Sequence, residues 1–342
     1  MGVKKPLSEQ VVVVTGASSG LGRAIARGAA ARGAKLVVTA RGRDGLEACV
    51  REAEAFGTEA IAVPADCAVQ DEVGRVVEEA VDRFGRIDTY VANAIVTVYA
   101  ETYRYEADEL RRVMDVNFFG QVYGYWAVLP HLRESRGTFL SVQSALAYRG
   151  IPLQGAYCAS KAALRNFFES ARVELEKERC GVAISVVHPA AINTPQFDRD
   201  RQKLGKQPQP VPPIYQPEPF AEAVLHCCEQ PIRELPIGWG AQKLMWGQKL
   251  SPRAGDLMLL RIGWKNQHTD EDKPVDSPDN LFSPLPGDPG AHGRFDARSR
   301  RTTLWTSLRL RRRLVGTALA AVAAAGSVEI AAHRNRRPRL LR

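Results

Sequence analysis

The chain has 342 residues, 45% of them hydrophobic and 25% charged, which is apolar material for one large core or two smaller ones and argues against general disorder. Its six cysteines (Cys49, Cys67, Cys158, Cys180, Cys227, Cys228) show no Cys-x-x-Cys spacing and no histidines at zinc-like intervals, so we expect reduced thiols, a cytoplasmic setting and no metal. The net charge of +9 belongs to the end of the chain: thirteen arginines and only two acids follow Ala291, residues 1–290 are slightly acidic, and no nucleic-acid recognition motif accompanies the arginines.

The first ten residues carry no apolar run, so a secretory signal is not expected. The run Val11-Val12-Val13-Val14-Thr15 is short, β-branched and apolar throughout, as in a strand buried on both faces of a parallel sheet. A helical pattern follows Gly22, then a strand at Lys35–Ala40, a helix to about Phe56, a strand at Ala60–Asp66, a helix at Gln70–Phe84 and a strand at Asp88–Asn93. A long helix is expected over Glu106–Arg133, a strand over Gly137–Ser144, a helix over Leu153–Glu178 and a strand over Val182–His188. Strand and helix in alternation imply right-handed crossovers, hence an α/β fold with a doubly wound parallel sheet. Prolines crowd Ala191–Pro219, which reads as a functional loop with little regular structure. A helix through Phe220–Glu229 and a strand near Leu235–Gly238 complete the sheet. We therefore divide the chain into a dinucleotide-binding catalytic domain (1–240), an appendage and linker (241–290) and a basic tail (291–342).

The turn Thr15-Gly16-Ala17-Ser18-Ser19-Gly20-Leu21-Gly22 joins strand to helix. Glycines at 16, 20 and 22 let the backbone bend and approach a ligand, while the unpaired N–H groups and dipole of the helix favour a pyrophosphate. At the end of the second strand, where an acid would hold ribose hydroxyls and repel a 2′-phosphate, the chain has Ala40 and Arg41, so NADP(H) is favoured over NAD(H). In Gln154-Gly155-Ala156-Tyr157-Cys158-Ala159-Ser160-Lys161, helical spacing puts Tyr157 and Lys161 on one face, a cation beside a phenol.

Taken together, the glycine turn and the ordered set Asn117, Ser144, Tyr157 and Lys161 resemble the short-chain dehydrogenase/reductase superfamily over roughly residues 8–240. The resemblance implies a Rossmann fold and an oxidoreductase that interconverts an alcohol and a ketone or aldehyde. It implies Tyr157 as general acid/base, Ser144 bonded to the substrate oxygen, Lys161 lowering the tyrosine pKa and holding the nicotinamide ribose, and Asn117 positioning a water. It further assigns Asp66 to the adenine edge, Asn93 to the loop beside the cofactor and Thr194 to the carboxamide side; Ser18, Ser19 and Leu21 belong to the cofactor turn. Two positions depart from the family: Ile95 and Ala190 stand where glycines are common. Pairing of subunits through the two long helices is implied as well. Two rivals remain, a non-catalytic cofactor sensor or scaffold of the same fold and a nucleotide-sugar epimerase. The loop and appendage suggest a hydrophobic substrate.

In the tail, Leu314–Ala332 is alanine-rich and nearly uncharged, flanked by arginines on both sides. Its length barely suffices for a membrane span, Glu329 is costly in a bilayer, and Val315, Leu319, Val322 and Ile330 fall on one helical face. A span, a surface attachment and a soluble tail all remain open.

Overall fold

The computed structural model describes residues 2–310. Its centre is a seven-stranded parallel sheet made of β1 (Val11–Thr15), β2 (Lys35–Thr39), β3 (Ala60–Ala62), β4 (Thr89–Ala92), β5 (Thr138–Val142), β6 (Ala183–Pro189) and β7 (Glu234–Ile237), in the order 3-2-1-4-5-6-7. The order reverses between β1 and β4, and at such a switch point a crevice opens at the carboxyl ends of the strands.

The unbroken apolar runs are explained by burial on both faces. Val12 and Val14 pack on one side with α1 (Gly20–Ala30), α2 (Arg43–Glu54) and α7 (Glu218–Glu229). Val13 packs on the other with α3 (Gln70–Phe84), α5 (Gly120–Ser135) and α6 (Gly155–Glu178). All three valines are fully buried, each worth roughly 1.5–3 kcal/mol of transfer free energy. β3 itself ends at Ala62, but the chain stays beside β2 as the sequence pattern implies, with Val63 N donating to Val38 O at 3.0 Å and Ala65 N to Ala40 O at 3.1 Å.

The long helix expected over Glu106–Arg133 is interrupted. It consists of α4 (Ala107–Met114), one π turn (Asp115–Phe119) and α5. The π turn carries Asn117, and such insertions concentrate at functional sites.

The proline-rich loop is more regular than its composition suggests, since short strands within it find partners elsewhere in the chain. Arg201–Gln202 pairs with Val98–Tyr99, Lys206–Pro208 with His268–Asp272, and Ile214–Tyr215 with Ser299–Arg300. Helices α8 (Trp239–Leu250) and α9 (Pro252–Ile262) form the appendage. The stretch expected as a linker and the first residues of the expected basic tail are packed on the body: Leu281 is fully buried, Phe295 is buried, and Asp296 accepts from Asn193 Nδ2 at 2.8 Å. Among the described residues no helix is long and apolar enough to cross a membrane. The stretch 314–332, on which the membrane readings rest, lies outside them.

Candidate active site

The glycine turn is held by β4 and the loop after it. Thr15 Oγ1 accepts from the N–H groups of Asn93 (2.9 Å) and Ala94 (3.0 Å), and Asn93 Nδ2 donates to the Thr15 carbonyl at 3.0 Å. Gly16 and Gly20 have φ of +66° and +56°. A Cβ at Gly22 would stand 2.2 Å from the Gly16 carbonyl oxygen, so helix and turn can close on each other only because that side chain is missing. Ser19 caps α1 without a side-chain hydrogen bond, and the first turn has no acidic residue. The Gly20 N–H donates to Gly290 O at 3.0 Å, so the helix dipole and the N–H groups beyond it are what the turn offers an anion, and Ser18, Ser19, Gly20 and Leu21 line one cavity of about 430 Å³. This cradle fits a dinucleotide pyrophosphate.

At the far end of the cavity Asp66 is paired with Arg112, Oδ2 to Nη2 at 2.5 Å, and its Oδ1 accepts from Ala68 N. Arg41 also lines the cavity, but its guanidinium donates to the carbonyls of Asn280 and Leu281. Burial, helped by nearby Arg112, lowers its pKa. A guanidinium has five N–H donors, so these two bonds leave others for a ligand. Thr194 reaches the turn from the opposite wall, with its side chain in line with a Cβ at Gly20.

Ser144 follows β5, Tyr157 and Lys161 sit in the first turns of α6, and all three line the same cavity. Lys161 is fully buried; its Nζ donates to the Val142 carbonyl at 3.0 Å and lies 5.6 Å from the Tyr157 ring centroid. Burial alone lowers the Lys161 ammonium to about 7. The Tyr157 phenol moves the other way: burial raises its pKa, with the Ser144 hydroxyl opposing. Lys161 is not among the groups that shift the phenol here; desolvation is the largest cause, and it favours the protonated form. Ser144 is both a turn residue and a site residue. Its Oγ accepts from Leu146 N at 3.1 Å, which leaves its own proton to donate.

Asn117 is committed to the protein by its side chain. Oδ1 accepts from Val96 N (2.8 Å), and Nδ2 donates to Val96 O (2.9 Å) and Ser160 Oγ (3.2 Å). It clamps the loop carrying Ile95 against α6, so the side chain acts by position. Ile95 itself lines the cavity, and Ala190 bonds Ile237 O through its N–H, continuing β6.

Three contributors escaped the sequence reading as site residues. Thr15 holds the turn; its place at a strand end before glycine was the available signal. His188 is fully buried with Nδ1 3.0 Å from the Ser144 carbonyl, so Nδ1 carries the proton, and burial lowers its pKa to about 4. Gln267 joins the appendage to the start of α6: Gln154 Nε2 donates to its Oε1 at 2.7 Å, and its own Nε2 donates to Pro152 O and Gly263 O. No local pattern marks that pair. Tyr99, Phe197, Val211, Leu244, Met258 and Ile262 give the remaining wall an apolar character. Among the described residues no group of His, Cys, Asp and Glu is placed to hold a metal.

Residues 10–205 match the model of the short chain dehydrogenase family. The chain belongs to that family. A Bacillus subtilis relative, the uncharacterized oxidoreductase YxnA, is 38% identical over 269 residues, covering 78% of this chain and 76% of the relative. The 11-beta-hydroxysteroid dehydrogenase-like 2 protein of Arabidopsis thaliana is 38% identical over 197 residues, 55% of this chain and 62% of that protein, so the match spans under two thirds of the plant relative. Among solved structures, a Burkholderia cenocepacia short chain dehydrogenase in complex with NADP aligns with a TM-score of 0.63 at 27% identity, over 75% of this chain and 99% of the other. An alcohol dehydrogenase from Thermococcus sibiricus complexed with 5-hydroxy-NADP aligns at 0.59 and 27%, over 66% and 94%. This dehydrogenase is therefore an NAD(P)-type oxidoreductase whose chain continues past the part those structures share with it.

Proposed function

We propose that this dehydrogenase uses NADP(H) to interconvert an alcohol and a ketone or aldehyde of apolar character, with Tyr157 moving the proton at the substrate oxygen. The reading is supported chiefly by one observation: Ser144, Tyr157 and Lys161 meet the glycine turn on a single cavity. Support for NADP(H) comes from Arg41 standing where an acid would repel a 2′-phosphate, and from the two structural relatives that carry NADP or a derivative. Support for an apolar substrate comes from the wall of Tyr99, Phe197, Leu244, Met258 and Ile262.

When bound, the dinucleotide supplies or accepts the hydride. Ser18, Ser19, Gly20 and Leu21 would hold its pyrophosphate side, Arg41 and Asp66 its adenosine end, and Lys161 and Thr194 its nicotinamide end. The Ser144 hydroxyl, whose oxygen accepts from Leu146 N and which stands beside the Tyr157 phenol, would donate its proton to the substrate oxygen. Tyr157, kept protonated by burial, gives its proton to the same oxygen as negative charge builds there, or takes it back in the oxidative direction. Lys161, buried and brought to about 7, can pass a proton near neutrality and so restore the phenol.

A screen of carbonyls with NADPH and of alcohols with NADP+ tests the reading. Failure of the purified chain to bind NADPH, together with no turnover in either direction, would overturn it. Binding without turnover would favour a cofactor sensor, and conversion of a nucleotide sugar with no net change in cofactor would favour an epimerase.

A further inference from the structure

Residues 280–296 leave the appendage and cross the cofactor end of the cavity. Both ends of this crossing are fixed in the core. Leu281 is fully buried in a cluster with Val96, Val98, Val113 and Val116. Phe295 packs with Tyr99 and Phe197, and its N–H donates to Asn193 Oδ1 at 3.0 Å. At Gly293 the backbone presses so closely on the Thr194 carbonyl that a Cβ would stand 2.4 Å from its oxygen.

Between these anchors residues 282–284 and 286–288 are exposed, and the segment is held over the dinucleotide turn by polar contacts. Gly290 O accepts from the N–H of Gly20 at 3.0 Å, on the first residue of α1. Gly287 N donates to Asp44 Oδ2 at 2.7 Å, Asp288 pairs with the buried Arg23 at 3.4 Å, and Leu285 O accepts from Arg199 at 2.7 Å. Pro284, Leu285, Gly287 and Pro289 line the same cavity as Ser18, Ser19 and Leu21, so a dinucleotide seated on the turn lies beneath them. At the adenosine end, the carbonyls of Asn280 and Leu281 take donors of Arg41, and Leu281 O also accepts from Arg112 Nε at 3.0 Å.

We propose that residues 282–292 are a strap that completes the dinucleotide site and lifts for each exchange of cofactor, with Asn280 and Leu281 as positioning residues for Arg41. The proposal rests on the dinucleotide reading above and adds the element that controls release. Its physical basis is the contrast within one segment. Buried apolar anchors hold the ends, whereas residues 282–284 and 286–288 are exposed and the middle is kept down by a few polar bonds, the kind of region that opens locally without global unfolding. With the strap down, a dinucleotide is enclosed between α1 and the segment; with it lifted, the adenosine side is open to solvent while the core stays intact.

The test uses the full chain. NADPH dissociation is followed by stopped-flow fluorescence after displacement with excess NADP+, in wild type and in Asp44→Ala/Asp288→Ala. The double variant removes two tethers and leaves every residue of the glycine turn in place. Loss of two such bonds is expected to raise the dissociation rate about tenfold with the thermal midpoint little changed. Hydrogen exchange on wild type provides the second readout, and the amides of 285–292 should exchange more slowly when NADPH is bound. An unchanged dissociation rate in the folded variant, or equal exchange of 285–292 with and without NADPH, overturns the strap while leaving the oxidoreductase reading intact. Should the variant not fold, the wild-type exchange result decides. Absence of NADPH binding by wild type would overturn the dinucleotide reading and the strap with it.

Discussion

Lys161 is fully buried and Tyr157 half-buried on the cavity wall, and burial drives them in opposite directions: the phenol holds its proton more firmly, while the ammonium gives its proton up near pH 7. Replacing Tyr157 with Phe removes the proton donor and leaves the cradle unchanged, so turnover should fall about a thousandfold with NADPH affinity retained, as read by steady-state kinetics and fluorescence titration. Normal turnover would remove Tyr157 from its role. Lys161 also makes a stability prediction. Its folded pKa lies below the ordinary lysine value of 10.5, so between about 7 and 10.5 the unfolded chain binds more protons and stability contributed by this group rises with pH. Lys161→Met, which cannot titrate, should be inactive and should lack this component. The thermal midpoint of wild type relative to the variant should improve from pH 7 to pH 9.5; a flat difference would contradict the buried, depressed lysine.

At the scale of elements, the cofactor cradle depends on contacts that a helix and a strand make only through missing side chains. Gly22→Ala would place a methyl 2.2 Å from the Gly16 carbonyl oxygen and 2.7 Å from Asn93 Nδ2, against main chain that cannot turn aside cheaply. The α1 terminus must then move off the turn. NADPH affinity should drop by about two orders of magnitude, equivalent to about 3 kcal/mol, while circular dichroism keeps the α/β signature; unchanged affinity would mean that the turn does not bind the pyrophosphate. The interruption of the long helix at Asp115–Phe119 belongs to the same scale. Helical periodicity continues through it, so the pattern reads as one helix, and only the bonds from Asn117 to Val96 and Ser160 account for a distinct turn there.

At the scale of the whole molecule, the body extends further along the chain than composition implies. The arginine-rich segment begins at Ala291, yet residues 293–303 still pack on Asn193, Tyr99 and the strand Ile214–Tyr215. A fair test of membrane attachment by 314–332 therefore ends the shortened chain at Leu310 and not at Asp288, where the cut would also remove part of the packed body. If the tail lies on an anionic surface, the full chain should float with anionic vesicles and the chain ending at Leu310 should remain behind; equal partitioning would exclude attachment by the tail.

The sequence by itself determined the sheet, the order of its helices and the turn that suits a pyrophosphate. Those features rest on local rules: continuous β-branched runs for strands covered on both faces, glycine where backbone must approach backbone, and a four-residue spacing that brings a phenol and an ammonium to one side of a helix. Tertiary structure alone decided what closes the site. Gly290 meets Gly20 across 270 residues of chain, Gln267 meets Gln154, and the Asn280 and Leu281 carbonyls meet Arg41. None of these partners carries a periodic or compositional signal, because a main-chain carbonyl or a single amide is specified by where the chain passes and not by which residue supplies it.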